Sequence, residues 1–223
     1  MNTWIIVPAY NEVRSIQSVV VSLLPYGKVL VVDDGSSDGT WQAAKSAGAL
    51  VLRHIINRGY GAALVTGSNY AVAHGAEIIV HFDADGQFEA TDIPTVLKPI
   101  MQGQAEVVLG SRFLGHIQGM TTLKWSTLKL AIVFTWILSG IKLTDAHNGF
   151  RGFTSRAWSK MILNQDLMAF SSEVLDQIIE TKSRFVEVPV TVRYTEYSKR
   201  GSKQGSWPAL RIVRDIFLGK FIK

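Results

Sequence analysis

Three short runs of unbroken apolar residues, Trp4–Val7, Val29–Val32 and Ile78–Val80, each end in a polar loop: Pro8–Glu12, Asp33–Thr40 and Asp83–Gln87. Strands without polar alternation are buried on both faces. Helical spacing separates them. Ile16, Val19, Val20 and Leu23 form an apolar face that Pro25 and Gly27 stop, Trp41, Ala44 and Ala47 follow the second run, and a small-residue helix is expected from about Asn57 to about His74. This β-α repetition, with a further strand over Leu50–Leu52, predicts an α/β fold with a mostly parallel sheet covered by helices on both faces. Ligands of such sheets bind beyond the carboxyl ends of the strands, so the three loops are expected to converge on one crevice.

The second half continues with a strand over Ala105–Leu109 ending at Gly110-Ser111-Arg112, a helix over Lys124–Ile141, a polar loop over Asp145–Arg151, and a helix over Ser172–Thr181 carrying Glu173. A strand over Arg184–Tyr194 contains Pro189, which places it at an edge. Glu196–Gly205 has loop composition, and Leu210, Val213, Phe217 and Phe221 mark a basic amphipathic helix from about Trp207. No linker divides the chain, so one domain is expected: a nucleotide-binding half over 1–110, an acceptor half over 111–206 and the terminal helix over 207–223. The net charge of +5 arises wholly in the last 28 residues, where seven basic side chains face two acidic ones. Such a tail suits an anionic membrane surface or a phosphorylated substrate; no nucleic-acid module accompanies it. The longest uncharged apolar stretch, Leu130–Ile141, is too short for the ~20 residues of a membrane-spanning helix, and no secretory signal is visible.

Asp83 and Asp85 stand one residue apart at a strand end, followed by Gly86 and Gln87. Carboxylates that close repel unless a cation relieves them. Oxygen ligands on a loop suit a hard divalent ion that keeps waters and takes further ligands from a diphosphate; the alternative is a solvated Asp-rich turn. With no cysteine, thiolate metal sites are excluded. The five histidines lack metal-ligand spacing; His81 reads as a packed strand residue, and His147 lies in the polar loop.

Val-Pro-Ala-Tyr-Asn-Glu (7–12), Asp-Asp-Gly-Ser-Ser-Asp-Gly-Thr (33–40), Asn-Arg-Gly-Tyr-Gly-Ala-Ala (57–63), Asp-Ala-Asp-Gly-Gln (83–87), Gly-Ser-Arg-Phe (110–113) and Asn-Gly-Phe-Arg (148–151) follow in that order. The series resembles family 2 glycosyltransferases, and most of all the branch of dolichyl- and polyprenyl-phosphate sugar transferases, over nearly the whole chain to about Lys203. The resemblance implies a GT-A fold and inverting transfer from a nucleoside-diphosphate sugar with Mg²⁺ or Mn²⁺. By position, Pro8, Tyr10 and Glu12 would line the nucleoside pocket, with Glu12 on the ribose and Asp34, seconded by Asp33, near the base. Asp83, Asp85 and Gln87 would serve the metal, with Asp83 also on the donor side. Arg200 and Lys203 match a basic loop that closes over the diphosphate. Arg112 matches the residue that holds the acceptor phosphate, and Lys124 and Lys129 fall near further basic positions where arginine is common; lysine there offers a point charge and no bidentate fork.

A sugar hydroxyl loses a proton as it attacks and wants a carboxylate base, whereas a phosphate monoester is already anionic near pH 7 and needs cations. The cluster of Arg112, Lys124 and Lys129 therefore favours a lipid-phosphate acceptor, with the protein peripheral at the cytoplasmic membrane face. For a hydroxyl acceptor on a cell-surface glycan or lipid-linked oligosaccharide, Glu173 and Asp145 are the only acidic candidates of the second half; Glu173 reads equally as a helix carboxylate paired with a loop cation. A nucleotide-sugar-binding subunit that needs a small membrane-protein partner is a third possibility. The Gln-x-x-Arg-Trp motif of processive synthases is absent.

Overall fold

The computed structural model describes residues 1–146, 148–167 and 169–194. Arg200, Lys203, His147 and the helix expected from Trp207 lie outside the described residues. The first half alternates as expected: β1 (Thr3–Ala9), α1 (Ile16–Leu23), β2 (Lys28–Asp33), α2 (Thr40–Ser46), β3 (Leu50–Arg53), α3 (Tyr60–Ala73), β4 (Ile78–His81), α4 (Ile93–Met101) and β5 (Val107–Ser111). There follow β6 (Ile117–Gln118), α5 (Thr122–Ser139), β7 (Arg151–Thr154), α6 (Ser155–Trp158), α7 (Phe170–Glu180), β8 (Phe185–Pro189) and β9 (Val192–Arg193).

Among the described residues, seven strands form one sheet in the order β3-β2-β1-β4-β7-β5-β8. All neighbours run parallel except β7, which is antiparallel to both β4 and β5. Strand order reverses between β1 and β4, and a ligand crevice opens at such a switch point.

The two-residue period of the strands builds a core on each face. Ile5, Val7, Val29, Val31 and Val80 pack with Ile16, Val20 and Leu23 of α1 and Ile93 and Val96 of α4. Trp4, Ile6, Leu30, Val32 and Ile79 pack on the other side with Leu64 of α3 and Phe170, Val174 and Ile178 of α7. The small residues of α3 permit close approach: a Cβ at Gly67 would lie 2.5 Å from Ile6 Cγ2 and 2.8 Å from Val32 Cγ2. Gly67→Val is expected to destabilise the protein by about 1–3 kcal/mol through overpacking, read as a lower denaturant midpoint at unchanged m-value; an unmoved midpoint would show that α3 can slide off the sheet.

The segment expected as a single strand over Arg184–Tyr194 is two. Its first part, β8, lies at the sheet edge, as Pro189 requires. The ladder ends at the Ser111–Pro189 pair, and the Asp92 carboxylate takes the Thr191 N–H at 2.6 Å. Val192 and Arg193 then pair with β6 in a separate two-stranded sheet.

Candidate active site

The loops after β1 and β2 are sewn together by short polar side chains. Asn11 N–H donates to Ser36 Oγ (2.9 Å), Ser37 N–H to Asn11 Oδ1 (3.0 Å), Glu12 N–H to Thr40 Oγ1 (2.8 Å) and Val13 N–H to Asp38 Oδ2 (3.2 Å). Asn11 adopts φ 56°, a left-handed conformation that asparagine tolerates better than most residues. Pro8 is buried at the end of β1, whereas the Tyr10 side chain is exposed beside it. Glu12 Oε2 accepts from Ser15 Oγ at 2.9 Å.

The two aspartates after β2 have different surroundings. Asp34 accepts from the Arg58 N–H at 2.9 Å and the Gly59 N–H at 2.7 Å, and its Oδ1 lies 2.7 Å from His54 Nδ1. It ties down the turn that opens α3. Asp33 Oδ2 accepts from Arg53 Nε at 3.1 Å, but the fully buried Oδ1 has no hydrogen-bond partner among the described residues. An unmet buried acceptor costs about 1–3 kcal/mol, so Asp33 Oδ1 is an atom that an incoming N–H donor would satisfy.

Asp83 and Asp85 follow β4 at the switch point. Tyr60 at the start of α3 donates its phenol to Asp83 Oδ1 at 2.9 Å. A Cβ at Gly149 would lie 2.6 and 2.8 Å from the two Asp83 oxygens and 2.8 Å from the Tyr60 hydroxyl, so only glycine lets the 148–151 loop close on this carboxylate. Burial, then the Asp85 charge, pushes Asp83 up to about 7 against the pull of nearby Arg151 and Arg112. Asp85 is also raised, by burial first, while Gln87 and Lys124 pull it down. The Gln87 N–H donates to Asp85 Oδ1 at 3.0 Å and its side-chain amide contacts Oδ2. Among the described residues no three His, Cys, Asp or Glu side chains gather in a metal-binding group. The protein therefore offers a pair of mutually repelling, poorly hydrated carboxylates with one amide. This donor set fits a hard divalent ion that takes its other ligands from water and diphosphate.

Cations collect across from this pair. Arg112, buried after β5, donates from Nε to Asp145 Oδ2 (2.5 Å) and from Nη1 to the Tyr194 hydroxyl (2.6 Å). The Lys124 Nζ lies 4.1 Å from the centre of the Tyr194 ring. Burial and then Arg112 lower the Lys124 ammonium, while Asp85 raises it, which places Lys124 within electrostatic reach of both. The Lys129 Nζ sits 3.8 Å from the centre of the ring of Phe113, the residue that follows Arg112. The buried Arg151 donates from Nε to Asn148 O at 2.9 Å.

Neither expected base candidate stands unengaged. Glu173 in the first turn of α7 accepts the Asn164 and Gln165 N–H groups, each at 2.9 Å, so its partners are backbone amides and not the loop cation expected. Asp145 holds the Arg112 Nε and N–H and the Asn148 amide. His81 is a packed strand residue as expected, with Ser68 Oγ 2.9 Å from Nε2 and Phe153 and Trp158 around it. Among the side chains that only the structure brings to the site are Tyr60, Tyr194 and Glu187, whose carboxylate accepts the Thr144 N–H and hydroxyl and the Asp145 N–H. Tyr60 carries a sequence signal, since it lies within the Asn-Arg-Gly-Tyr-Gly series.

The parallel sheet with its switch-point crevice, an antiparallel strand inserted beside it and paired aspartates at the rim define a GT-A glycosyltransferase. The glucosyl-3-phosphoglycerate synthase of Mycobacterium tuberculosis, solved with Mn²⁺, UDP-glucose and phosphoglyceric acid, has the same fold, with a TM-score of 0.73 at 17% identity over 98% of this chain and 79% of that one. The family model Glycosyl transferase family 2 matches residues 4–178, and the chain belongs to that family. Within it the chain is similar to the UDP-N-acetylglucosamine–dolichyl-phosphate N-acetylglucosaminyltransferase of Methanococcus voltae, at 34% identity over 87% of each chain. It is also similar to the undecaprenyl-phosphate mannosyltransferase of Micrococcus luteus, at 30% identity over 86% of this chain and 83% of that one.

Proposed function

We propose that this glycosyltransferase passes a sugar, with inversion, from a nucleoside-diphosphate sugar to a polyprenyl or dolichyl phosphate at the cytoplasmic membrane face. The observation that carries this reading is the pairing of Arg112 and Lys124 about Tyr194, within electrostatic reach of Asp85, while Glu173 and Asp145 are committed to other partners. A phosphate monoester needs that arrangement; a hydroxyl acceptor needs an unengaged carboxylate. The relatives that act on lipid phosphates support the same acceptor class.

In this reading the Pro8–Glu12 and Asp33–Thr40 loops bind the nucleoside, Glu12 meeting the ribose and Asp33 Oδ1 a base N–H, while Asp34 holds the turn beside them. Asp83, Asp85 and Gln87 hold Mg²⁺ or Mn²⁺, which when bound supplies Lewis-acid charge neutralisation for the departing diphosphate. Arg112 and Lys124 orient the acceptor phosphate so that one oxygen faces the anomeric carbon, and no base is required. Arg200 and Lys203 are assigned to the diphosphate by their motif. Glu173 positions the Asn164–Gln165 loop. On α5, Leu123, Leu130, Val133 and Ile137 are exposed along one face with Trp125 and Trp136 nearby, a pattern that fits an interfacial helix; no helix among the described residues is long and apolar enough to cross a membrane.

The test is thermal stability with GDP-, UDP-, dTDP- and CMP-sugars, each with and without Mn²⁺. A ligand of the folded state at about 100 times its Kd stabilises by about 2.7 kcal/mol. One donor class is expected to raise Tm only with the ion present, and the same donor then supports transfer to a polyprenyl phosphate. If no donor shifts Tm at millimolar concentration, a subunit that needs a partner becomes the better description.

The ion also brings a pH dependence. A carboxyl raised to about 7 is above its unfolded value, so its favourable contribution is present in acid and is lost as pH rises through 7. Divalent ion and proton compete for Asp83. Apparent Mn²⁺ affinity should therefore rise about fivefold from pH 6 to pH 7 and less than about twofold from pH 7 to pH 8. Calorimetric titration at pH 6, 7 and 8 checks this, and an affinity independent of pH contradicts it.

A further inference from the structure

We propose that Tyr194 is a positioning residue that holds the two acceptor cations at a fixed separation, matching them to the dianion of a phosphate monoester. The proposal rests on the lipid-phosphate reading and deepens it. The phenol oxygen accepts from Arg112 Nη1 at 2.6 Å, and the face of the same ring carries the Lys124 Nζ at 4.1 Å. One side chain therefore engages both cations, one through its polar tip and one through its π face. Two like charges brought together with little water tend to splay apart. Tyr194 offsets that repulsion from between them, and Asp145 on the far side of Arg112 fixes the guanidinium plane at 2.5 Å.

The backbone under Tyr194 is itself tied down. Its N–H donates to Gln118 O at 2.9 Å, and the preceding Arg193 N–H donates to Gln87 O at 2.8 Å. Arg193 Nε is 2.8 Å from Glu89 Oε1. Gly119, at φ +73°, lets the chain of β6 approach, since a Cβ there would meet Tyr194 O at 2.7 Å. The segment that carries Tyr194, just after β9, is thus bonded directly to the loop that carries Asp85 and Gln87, and the cation pair keeps register with the donor side of the crevice.

The experiment measures initial rates with a short-chain polyprenyl phosphate and the donor found to stabilise the protein, varying each substrate. Tyr194→Phe removes only the bond to Arg112 and should raise acceptor KM about tenfold, with donor KM unchanged and Tm lowered by no more than one lost buried hydrogen bond accounts for. Tyr194→Leu removes the ring as well and should raise acceptor KM about 100-fold. In a Lys124→Met background the ring has no ammonium to carry, so Tyr194→Leu should then cost no more than Tyr194→Phe. An unchanged acceptor KM in Tyr194→Phe overturns the proposal, as does a parallel rise in donor KM, which would mark a general loosening of the fold. If the wild type binds its donor but transfers to no monophosphate, the lipid-phosphate reading fails first and the proposal with it.

Discussion

Asp85→Asn is expected to lower kcat/KM by about 10³-fold or more while the metal-free protein becomes more stable at pH 8. The two effects have one cause. Asp85 is raised by burial, and its charge in turn helps raise Asp83 to about 7. Above that pH the metal-free protein holds two poorly hydrated negative charges beside one another, and the neutral amide removes one of them. The backbone bond survives, because an asparagine oxygen still accepts the Gln87 N–H that lies 3.0 Å from Asp85 Oδ1, and a flip of the Gln87 side-chain amide turns its oxygen to the new NH2 group in place of the contact with Oδ2. What disappears is the charge that attracts a divalent ion, and with it neutralisation of the leaving diphosphate. The readout is Tm with and without Mn²⁺ beside steady-state kinetics. A variant that keeps more than about a tenth of wild-type kcat/KM, less than 1.4 kcal/mol of lost transition-state stabilisation, would show that the pair does not hold the ion. A metal-free variant less stable than wild type would show that the carboxylate is a structural acceptor.

The half of the crevice built by the loops after β1, β2 and β4 was legible because its signals are local. Each apolar run became a strand within two residues of its expected ends, and the loops after β1, β2 and β4 lie where a parallel sheet must put them. The small residues around Gly67 and the packed His81 follow from the same local pattern. The half built by Arg112 and the 145–151 loop depends on sheet order, which no short window reports. Arg112 meets Tyr194 across 82 residues, Thr144 meets Glu187 across 43, and Tyr60 meets Asp83 across 23. Those contacts follow from β7 entering antiparallel between β4 and β5, which brings the 145–151 loop against both Asp83 and Arg112. The same blindness applies to Asp33 and Asp34, adjacent in sequence and equally acidic. Only the return of residues 54–59 to the crevice shows that Asp34 is consumed by backbone amides while Asp33 keeps an unmet oxygen.

Arg112→Ala is expected to abolish transfer to a lipid phosphate and also to destabilise the protein, and the two losses can be separated. Asp145 is buried and gives Oδ2 to Arg112 Nε at 2.5 Å and to its N–H at 3.1 Å. Removing one partner of a buried ion pair strands the other charge, at a cost of about 3–5 kcal/mol. Adding Asp145→Asn to Arg112→Ala removes that stranded charge and should recover most of the stability. It should recover none of the transfer, because the cation that holds the acceptor is still missing. Arg112→Lys keeps a charge but cannot bond Asp145 and Tyr194 at once from a planar fork, so acceptor kcat/KM should fall about 100-fold with donor affinity intact. The hydroxyl-acceptor reading predicts the opposite pattern: Asp145→Asn alone, or Glu173→Gln, would stop the reaction, while the stability-restored Arg112→Ala double variant would fail only through its missing base. The single Arg112→Lys variant, which keeps both the cation and Asp145, therefore decides between them, since a base-dependent enzyme keeps its turnover there and a phosphate-holding one is impaired for the acceptor alone.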